Sequence, residues 1–313
     1  MSEFGYAGAN AEPTGWLVNS RWWLNAGLAA LIAALALVLV FKPGHHKAPV
    51  VPALTTLSAG QIGHIRLLRP GQPEIDLVKS GGRWIMTAPR RARANRFRIE
   101  ELLHLATARI VTHFTVPAAD LGRYGLAKPD AVVWLDDEKI SFGGPHPLDP
   151  DHYALYRGQV YVVPDHYDNA AIAPLSGFFS TRLIENRGKL VAIRLPRLSL
   201  ARKPDGSWKV TPADSKLSTD RINTFVDDWR YAQALSVSPY SGKPVIARAR
   251  FTFASSPVKA ARGHSVAAAP GKRVLVLGIV ERKPELIFYR KDEGLEYHLP
   301  ADMASQLLEL KPH

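Results

Sequence analysis

The residues best suited to bind a metal are clustered in one short segment. They are His146, Asp149, Asp151 and His152, with Asp165 and His166 following. Imidazole and carboxylate groups are zinc ligands, and three or four of them converging on one ion would suit a metal-dependent hydrolase. No helical His-x-x-x-His pair or other fixed ligand spacing is present, and Asp and Pro are also what a tight turn between strands requires. We therefore expect turn and strand-edge roles here and keep the metal site as the alternative.

A run of arginines forms a second chemical candidate. Its members are Arg83, Arg90, Arg91, Arg93, Arg96 and Arg98. Guanidinium groups bind phosphates bidentately, and a helix N-terminus adds partial positive charge. An anionic lipid, an anionic envelope polymer or an acidic protein would fit such a face. The other interpretation is a solvated face whose arginine stems cover apolar surface.

Composition excludes several classes of protein. The 313 residues are 46% hydrophobic and 22% charged, which indicates folded cores and not a disordered chain. The net charge is +12, but no nucleic-acid-binding signature accompanies it, so nucleic acid is not expected as a partner. With no cysteine, disulfides, thiolate metal sites and cysteine nucleophiles are excluded. No nucleophile elbow, P-loop or dinucleotide fingerprint occurs, and Gly81-Gly82 and Gly143-Gly144 are interpreted as turn glycines. We expect no catalytic residues and no cofactor.

The first element that must position these residues is a membrane anchor. Residues 22–41 read WWLNAGLAALIAALALVLVF, a run of 20 residues without a charged side chain. At a rise of ~1.5 Å per residue, such a helix matches the thickness of a bilayer core. The Lys-Pro-Gly-His-His-Lys that follows is typical of a stop and not of a cleavage site. We predict a transmembrane helix over 22–41, after a leader over 1–21 and before a proline-containing linker over 42–61. The flanking basic residues do not decide the orientation.

The remaining sequence contains an internal repeat. Ile99, Leu102 and Leu103 recur as Ile222, Phe225 and Val226 at one constant offset, both with the spacing of a buried helical stripe. Asn95 and Ser218 are the predicted N-caps, and a Gly-x-Trp hairpin precedes each helix. Strands are predicted at 131–135, 139–142, 153–157, 159–163, 250–253, 273–277, 285–289 and 295–299, with closing helices at 170–175 and 303–310. Two copies of one unit, over 62–185 and 186–313, give an α+β fold, and 255–272 is predicted to be an inserted loop.

Three details complete the comparison of the two copies. The sequence GQVYVVP, from Gly158, matches GLEYHLP, from Gly294. Tyr156-Arg157 is echoed by Tyr289-Arg290. The repeated tryptophans, Trp84 and Trp208, are predicted to fill the core.

One motif carries a family resemblance. It is Tyr124-Gly125-Leu126-Ala127-Lys128-Pro129, followed by Phe142-Gly143-Gly144 and preceded by Gly82-Arg83-Trp84. With these residues the chain, over about 62–310, resembles the bacterial family called domain of unknown function 4340. The second copy lacks the Tyr-Gly-Leu-x-x-Pro element. The resemblance implies a single-pass anchored protein with a periplasmic body, sometimes encoded beside ABC-transporter components, and it supplies no catalytic residues.

The sequence thus predicts a non-enzymatic inner-membrane protein with a periplasmic repeat domain that binds or scaffolds a partner in an envelope or ABC-transporter-type assembly. The alternatives are the metal-dependent hydrolase and an anionic lipid- or polymer-binding domain. The predicted partner-binding residues are Arg90, Arg91, Arg93, Arg96, Arg98, Tyr124, Gly125, Leu126 and Pro129.

Overall fold

The computed structural model describes residues 17–41, 53–184, 188–254 and 271–312. One compact unit covers Met1–Val51 and contains helix α1 (Leu17–Phe41). None of the helices in these ranges combines the length and the apolar character needed to cross a bilayer. Most of the predicted leader, part of the predicted linker and nearly all of the predicted inserted loop lie outside the described residues.

The other unit, Pro52–His313, contains two antiparallel sheets, and the first has nine strands. Its strands are β1 (His64–Leu68), β2 (Ile75–Ser80), β3 (Arg83–Ala88), β4 (Ala92–Arg93), β5 (Thr112–Phe114), β6 (Ala131–Leu135), β7 (Glu138–Pro145), β8 (Asp151–Tyr156) and β9 (Gln159–Pro164). Its helices are α2 (Arg96–His104) and α3 (Asp165–Ile172). Short 3-10 turns cover Leu105–Thr107, Ala118–Tyr124 and Leu175–Phe178. We call residues 53–184 the first half.

The second sheet has eight strands. They are β10 (Lys189–Arg194), β11 (Ser199–Arg202), β12 (Trp208–Thr211), β13 (Ser236–Pro239), β14 (Ala247–Ala254), β15 (Lys272–Glu281), β16 (Glu285–Arg290) and β17 (Leu295–Pro300). Its helices are α4 (Thr219–Tyr231) and α5 (Met303–Leu308). We call residues 188–312 the second half.

The two sheets have the same strand order. The first runs β4-β3-β2-β1-β6-β7-β8-β9-β5 and the second β12-β11-β10-β14-β15-β16-β17-β13, so they match strand for strand once β4 is set aside. Along the chain, one helix of each half comes after the third matching strand, β3 or β12, and another comes after the last one, β9 or β17. The predicted α+β class is confirmed as two antiparallel sheets with helices.

The two main helices form as the sequence predicts. The Asn95 side chain accepts a hydrogen bond from Phe97 N, and Ser218 Oγ accepts one from Arg221 N, both at 3.1 Å. These caps satisfy N–H groups that the first helical turn leaves unpaired. The predicted apolar stripes face the core, with Ile99, Leu102, Leu103, Phe225, Val226 and Trp229 buried.

The strand pairing fixes which residues of the two halves are equivalent. Asp151 pairs with Pro164 as Glu285 pairs with Pro300, and Tyr156 pairs with Gln159 as Arg290 pairs with Leu295. The predicted match of Tyr156-Arg157 to Tyr289-Arg290 is therefore off by one residue, and Tyr156 corresponds to Arg290. The physical reason is the longer β16–β17 turn. Trp84 and Trp208 occupy matching positions on β3 and β12, half-buried and packed against the core.

A short segment before the first strand of each sheet pairs with the residues that follow the main helix of that sheet. Leu54 is buried, and Leu54 N donates to Ala108 O at 3.0 Å. Leu183 N donates to Ala232 O at 3.2 Å in the same way. Leu54, within the predicted linker over 42–61, is therefore packed into the folded body, and the predicted boundary at 186 lies outside the described residues. The first closing helix also begins earlier than predicted, at Asp165.

Candidate functional site

The arginines predicted to form one basic face lie in different environments. Arg90 and Arg91 are exposed, and Arg90 Nη1 donates to Gly294 O in the second half at 3.2 Å. Arg93, by contrast, is buried. A single anion-binding surface would need all of these side chains on one exposed face, and the fold separates them.

Arg83 begins β3, whereas Arg96 and Arg98 are on the first turn of α2 and are paired with acids of the same helix. Arg96 Nε lies 2.7 Å from Glu100 Oε1, and Arg98 Nη1 lies 2.7 Å from Glu101 Oε2. Such local pairs reduce the positive charge that this end of the helix offers to a ligand. The positive charge of the arginine run, which contains no acidic residue in the sequence, is therefore partly neutralised in the structure.

Arg93 is part of a buried polar network between the two halves. Arg93 Nε donates to Glu293 Oε1 at 2.6 Å, and Arg93 Nη2 donates to Tyr297 Oη at 2.8 Å and to Arg182 O at 2.7 Å. Tyr297 Oη donates to Glu293, and Arg290 Nε lies 3.5 Å from Glu293 Oε2. Arg93 is predicted to belong to an exposed partner-binding face, but its side chain is buried and joins the two halves.

Electrostatics fixes the protonation of this network. Burial opposes ionisation of Glu293, but Arg93 and Arg290 outweigh it and hold the pKa of Glu293 below its usual value. Burial raises the pKa of Tyr297 well above its usual value. At neutral pH the carboxylate is therefore charged and the phenol keeps its proton.

The Tyr-Gly-Leu part of the family motif packs against β7. Gly125 ends the 3-10 turn in the left-handed conformation, with φ of 71°. A Cβ on Gly125 would collide with the backbone of Gly144, and one on Gly143 would collide with Tyr124 O. Gly143 and Gly144 lie on β7 and are therefore not turn glycines, and Gly143 has no room for a side chain because the motif approaches the strand closely.

The motif's side chains also pack inward. Leu126 is buried, and the ring of Tyr124 contacts those of Tyr153 and Phe114 at centroid distances of 4.9 and 5.4 Å. Pro129 is half-buried. The predicted partner-binding motif thus has packing contacts that explain its residue types without a ligand.

The predicted metal-ligand segment does not converge as a set. His146 Nδ1 lies 3.7 Å from Asp149 Oδ2, and His146 N donates to Asp151 O at 2.7 Å, which is the turn geometry expected between β7 and β8. In the described ranges, His152 belongs instead to a convergent group with Asp165 and Asp168. The predicted ligand set is therefore corrected: His146 and Asp149 lie in the turn before β8, whereas His152, on β8, converges with Asp165 and Asp168.

We call His152, Asp165 and Asp168 the His-Asp-Asp cluster. His152 Nδ1 lies 3.0 Å from Asp165 Oδ1, and His152 Nε2 lies 3.6 Å from Asp168 Oδ2. One ligand atom from each residue lies within 4.8 Å of the others. The Asp168 side chain is only 6% exposed. Burial raises its pKa, His152 opposes this, and the charges of Asp130 and Asp165 add to the rise.

Asp168 was missed by the sequence analysis, although a signal was present. Asp165 and Asp168 are three residues apart, directly after the strand that pairs with β8. If the helix begins at Asp165, both carboxylates are on its first turn and on one face. The later predicted start of this helix, at residue 170, concealed that spacing.

The second half contains an open groove with a cavity of about 780 Å³. Its apolar walls are contributed by the β10–β11 turn, β12, the segment before α4 and the C-terminal end of α5, and they include Leu198, Val210, Leu217, Leu308 and Leu310. Arg197, Arg282 and Lys283 lie on its rim with Asp214, while Glu309 pairs with Lys311 at 2.6 Å. The groove is thus apolar inside and positive at its edge.

The equivalent place in the first half is filled by the chain itself. After α3 the chain turns through Leu175–Phe178, and Asn95 N donates to Phe178 O at 2.8 Å. The guanidinium of Arg69 lies 5.8 Å from the ring centroid of Phe178 and donates to Ala173 O. Asn95 corresponds to Ser218, beside Leu217 in the groove. Arg69 lies two residues after Leu67 as Arg197 lies two residues after Leu195, so two parts of the groove wall have counterparts in the first half.

Comparison with known proteins identifies one family. The family model described as Domain of unknown function (DUF4340) matches residues 84–241, from β3 to just beyond β13. Neither the curated proteins nor the solved structures include a match to this chain. The matched range spans parts of both halves and covers about half of the 313 residues. The chain belongs to the DUF4340 family.

Proposed function

We propose that this protein is a non-enzymatic scaffold, anchored in the bacterial inner membrane by one span over residues 22–41, whose periplasmic body binds a partner in an envelope or ABC-transporter-type assembly. The support for the anchor is the sequence itself, a run of 20 residues at 22–41 without a charged side chain, whereas no helix among the described residues has the length and apolar character needed to cross a bilayer. The common strand order supports a body made of two tandem copies of one unit. A reporter fused after His313 that is active only in the periplasm tests the orientation, and a cytoplasmic signal would contradict it.

The observation that carries the binding function is the open groove of the second half. In the first half, the equivalent position holds Phe178 and Phe179, both buried. Among the described residues, none occupies this position in the second half, where Leu198, Val210 and Leu217 remain half-buried. Apolar surface of this size gains free energy when it is covered, at ~25 cal/mol per Å².

The proposed occupant of the groove is an extended segment of a partner protein with an aromatic side chain and an adjacent acidic residue. The aromatic group would lie beside Arg197, as Phe178 lies beside Arg69. The acidic residue matches the rim, where Arg197, Arg282 and Lys283 outnumber Asp214. Recognition of an extended segment by backbone hydrogen bonds and side-chain pockets is a common mode of peptide binding.

The chain itself supplies the probe for this proposal. A fluorescent peptide with the sequence of residues 173–180, APLSGFFS, reproduces the segment that fills the equivalent groove. We expect it to bind the full-length chain in mild detergent, measured by anisotropy, and to bind at least about tenfold more weakly to Leu217→Arg, because loss of one buried apolar contact with an added charge exceeds 1.4 kcal/mol.

Two controls make this test specific. Leu148→Arg changes a leucine that is 86% exposed in the first half, and it should leave binding unchanged. A peptide with serine in place of both phenylalanines should not bind. Equal binding to wild type and Leu217→Arg, or no binding to either, would contradict the groove as the partner site.

The anionic lipid or polymer alternative has less support. It depends on a shared basic face, but Arg93 is buried and Arg96 and Arg98 pair with glutamates. The groove needs no such face.

A further inference from the structure

The His-Asp-Asp cluster is confined to the first half. Pro164 matches Pro300, and their strand partners, Asp151 and Glu285, match each other. The residues of the second half that are equivalent to His152, Asp165 and Asp168 are therefore Leu286, Ala301 and Ala304, in that order. Three apolar residues therefore occupy the places of one imidazole and two carboxylates. Leu286 is fully buried there.

This substitution indicates that the fold does not need the charges. Placing ionised groups in a partly buried site costs free energy, and well-packed apolar residues at the same positions are often as stable or more stable. The second half builds the same strand and closing-helix arrangement with apolar residues alone. The charged residues of the first half therefore call for a purpose other than packing.

Two buried polar atoms of the cluster also indicate a role other than packing. Asp168 Oδ1 and His152 Nδ1 are buried and have no hydrogen-bond partner among the described residues. His152 Nδ1 lies 3.0 Å from Asp165 Oδ1, yet the two are not aligned as a hydrogen bond. Two ligands bound to one ion at ~2.0–2.2 Å lie at about this separation and point at the ion instead of at each other.

We propose that His152, Asp165 and Asp168 bind a divalent transition metal of the zinc or manganese class. One imidazole nitrogen with two carboxylates suits these ions, whereas calcium and magnesium prefer oxygen ligands alone. Asp165 is partly exposed, so the site is open to ion exchange from solvent. The ion would hold the first turn of α3 against β8, and this site is independent of the groove in the second half.

The test is metal binding by the full-length chain in mild detergent. After removal of metals with a chelator, the protein is titrated with Zn²⁺, Mn²⁺ or Ca²⁺, and bound metal is counted by elemental analysis after dialysis. We expect one Zn²⁺ or Mn²⁺ per chain and a rise in Tm of about 5 °C or more at a hundredfold excess over Kd. Calcium should produce neither effect.

The second half supplies the matched variant. His152→Leu with Asp165→Ala and Asp168→Ala copies its residues and should abolish both the bound metal and the rise in Tm. Asp165→Asn with Asp168→Asn, which keeps the side-chain shapes, should do the same if the triple variant does not fold. His146→Ala with Asp149→Ala should retain the metal.

Three results would overturn the proposal. They are the absence of stoichiometric metal on the wild-type chain, equally strong binding of calcium, and loss of metal in the His146→Ala, Asp149→Ala variant. The first would leave His152 as an ordinary ion-pair partner of the two aspartates.

Discussion

The two halves use one strand order but place their polar groups and their openings differently. In the first half, charges gather at the junction of β8 and α3, and the groove is filled by Phe178. In the second half, the equivalent junction is apolar and the groove is open. Its buried charges lie instead on β16, β17 and the turn between them, where Glu293 reaches Arg93. The sheet itself thus tolerates either arrangement, and function has to be sought where the halves diverge.

Turn length explains one of these differences. The β8–β9 turn contains only Arg157 and Gly158, whereas the β16–β17 turn runs from Lys291 to Gly294 and adds Glu293. The added residues bring a carboxylate to the boundary between the halves. In the first half the turn residue Arg157 pairs instead with Glu138 of β7, and the Arg157 side chain is largely exposed.

The largest effect on stability is expected from a mutation in the filled groove of the first half. Phe178→Ala should lower the free energy of unfolding by about 3–5 kcal/mol, because it leaves a cavity in a fully buried site. Leu217→Ala, in the open groove of the second half, should cost much less because its side chain is only half-buried. Urea unfolding of both variants measures the difference. Similar losses would mean that the two grooves are equally closed.

A mutation in the buried polar network between the halves should have the second-largest effect on stability. Glu293→Gln removes the buried carboxylate that Arg93 contacts at 2.6 Å, and removing one partner of a buried ion pair costs about 3 kcal/mol or more. The matched control is Glu138→Gln, which breaks the pair with the largely exposed Arg157 and should lower the unfolding midpoint much less. If both variants unfold at the wild-type midpoint, the network does not hold the halves together.

The smallest expected effect is the dependence of stability on pH through the Glu293 carboxylate. The pKa of Glu293 is lowered in the folded protein, so its contribution is complete above the unfolded value of ~4.3 and is lost as the pH falls through the folded pKa. Between pH 7 and 3, wild type should lose stability more than Glu293→Gln does, by at most ~1.4 kcal/mol per pH unit. Parallel pH profiles would contradict the depressed pKa.

Local pattern was sufficient for much of the fold. The strand at 131–135 has the predicted bounds, and Asn95 and Ser218 cap their helices, because these features depend on side-chain alternation and on neighbouring backbone groups. The repeated stripe of Ile99, Leu102 and Leu103 predicted a buried helical face for the same reason. The family resemblance was likewise readable from a short motif.

The candidate sites were less accessible to sequence reasoning. The arginine run suggested one face, but Arg93 finds its partner 200 residues away in Glu293. His152 was paired with its sequence neighbours, although its convergent partners follow the next strand and begin a helix. Both errors have one cause, since proximity in sequence was taken for proximity in space.

The amino-acid sequence alone determined the α+β class, the main helices with their caps, the strand runs and the recurrence of one pattern in two places. These depend on periodicity and on contacts within a few residues. Only the tertiary structure decided that Arg93 is buried, that Asp168 meets His152, and that one groove is filled while its counterpart is open. Those outcomes depend on how strands pair and on how long the turns between them are, because pairing register sets which distant side chains meet.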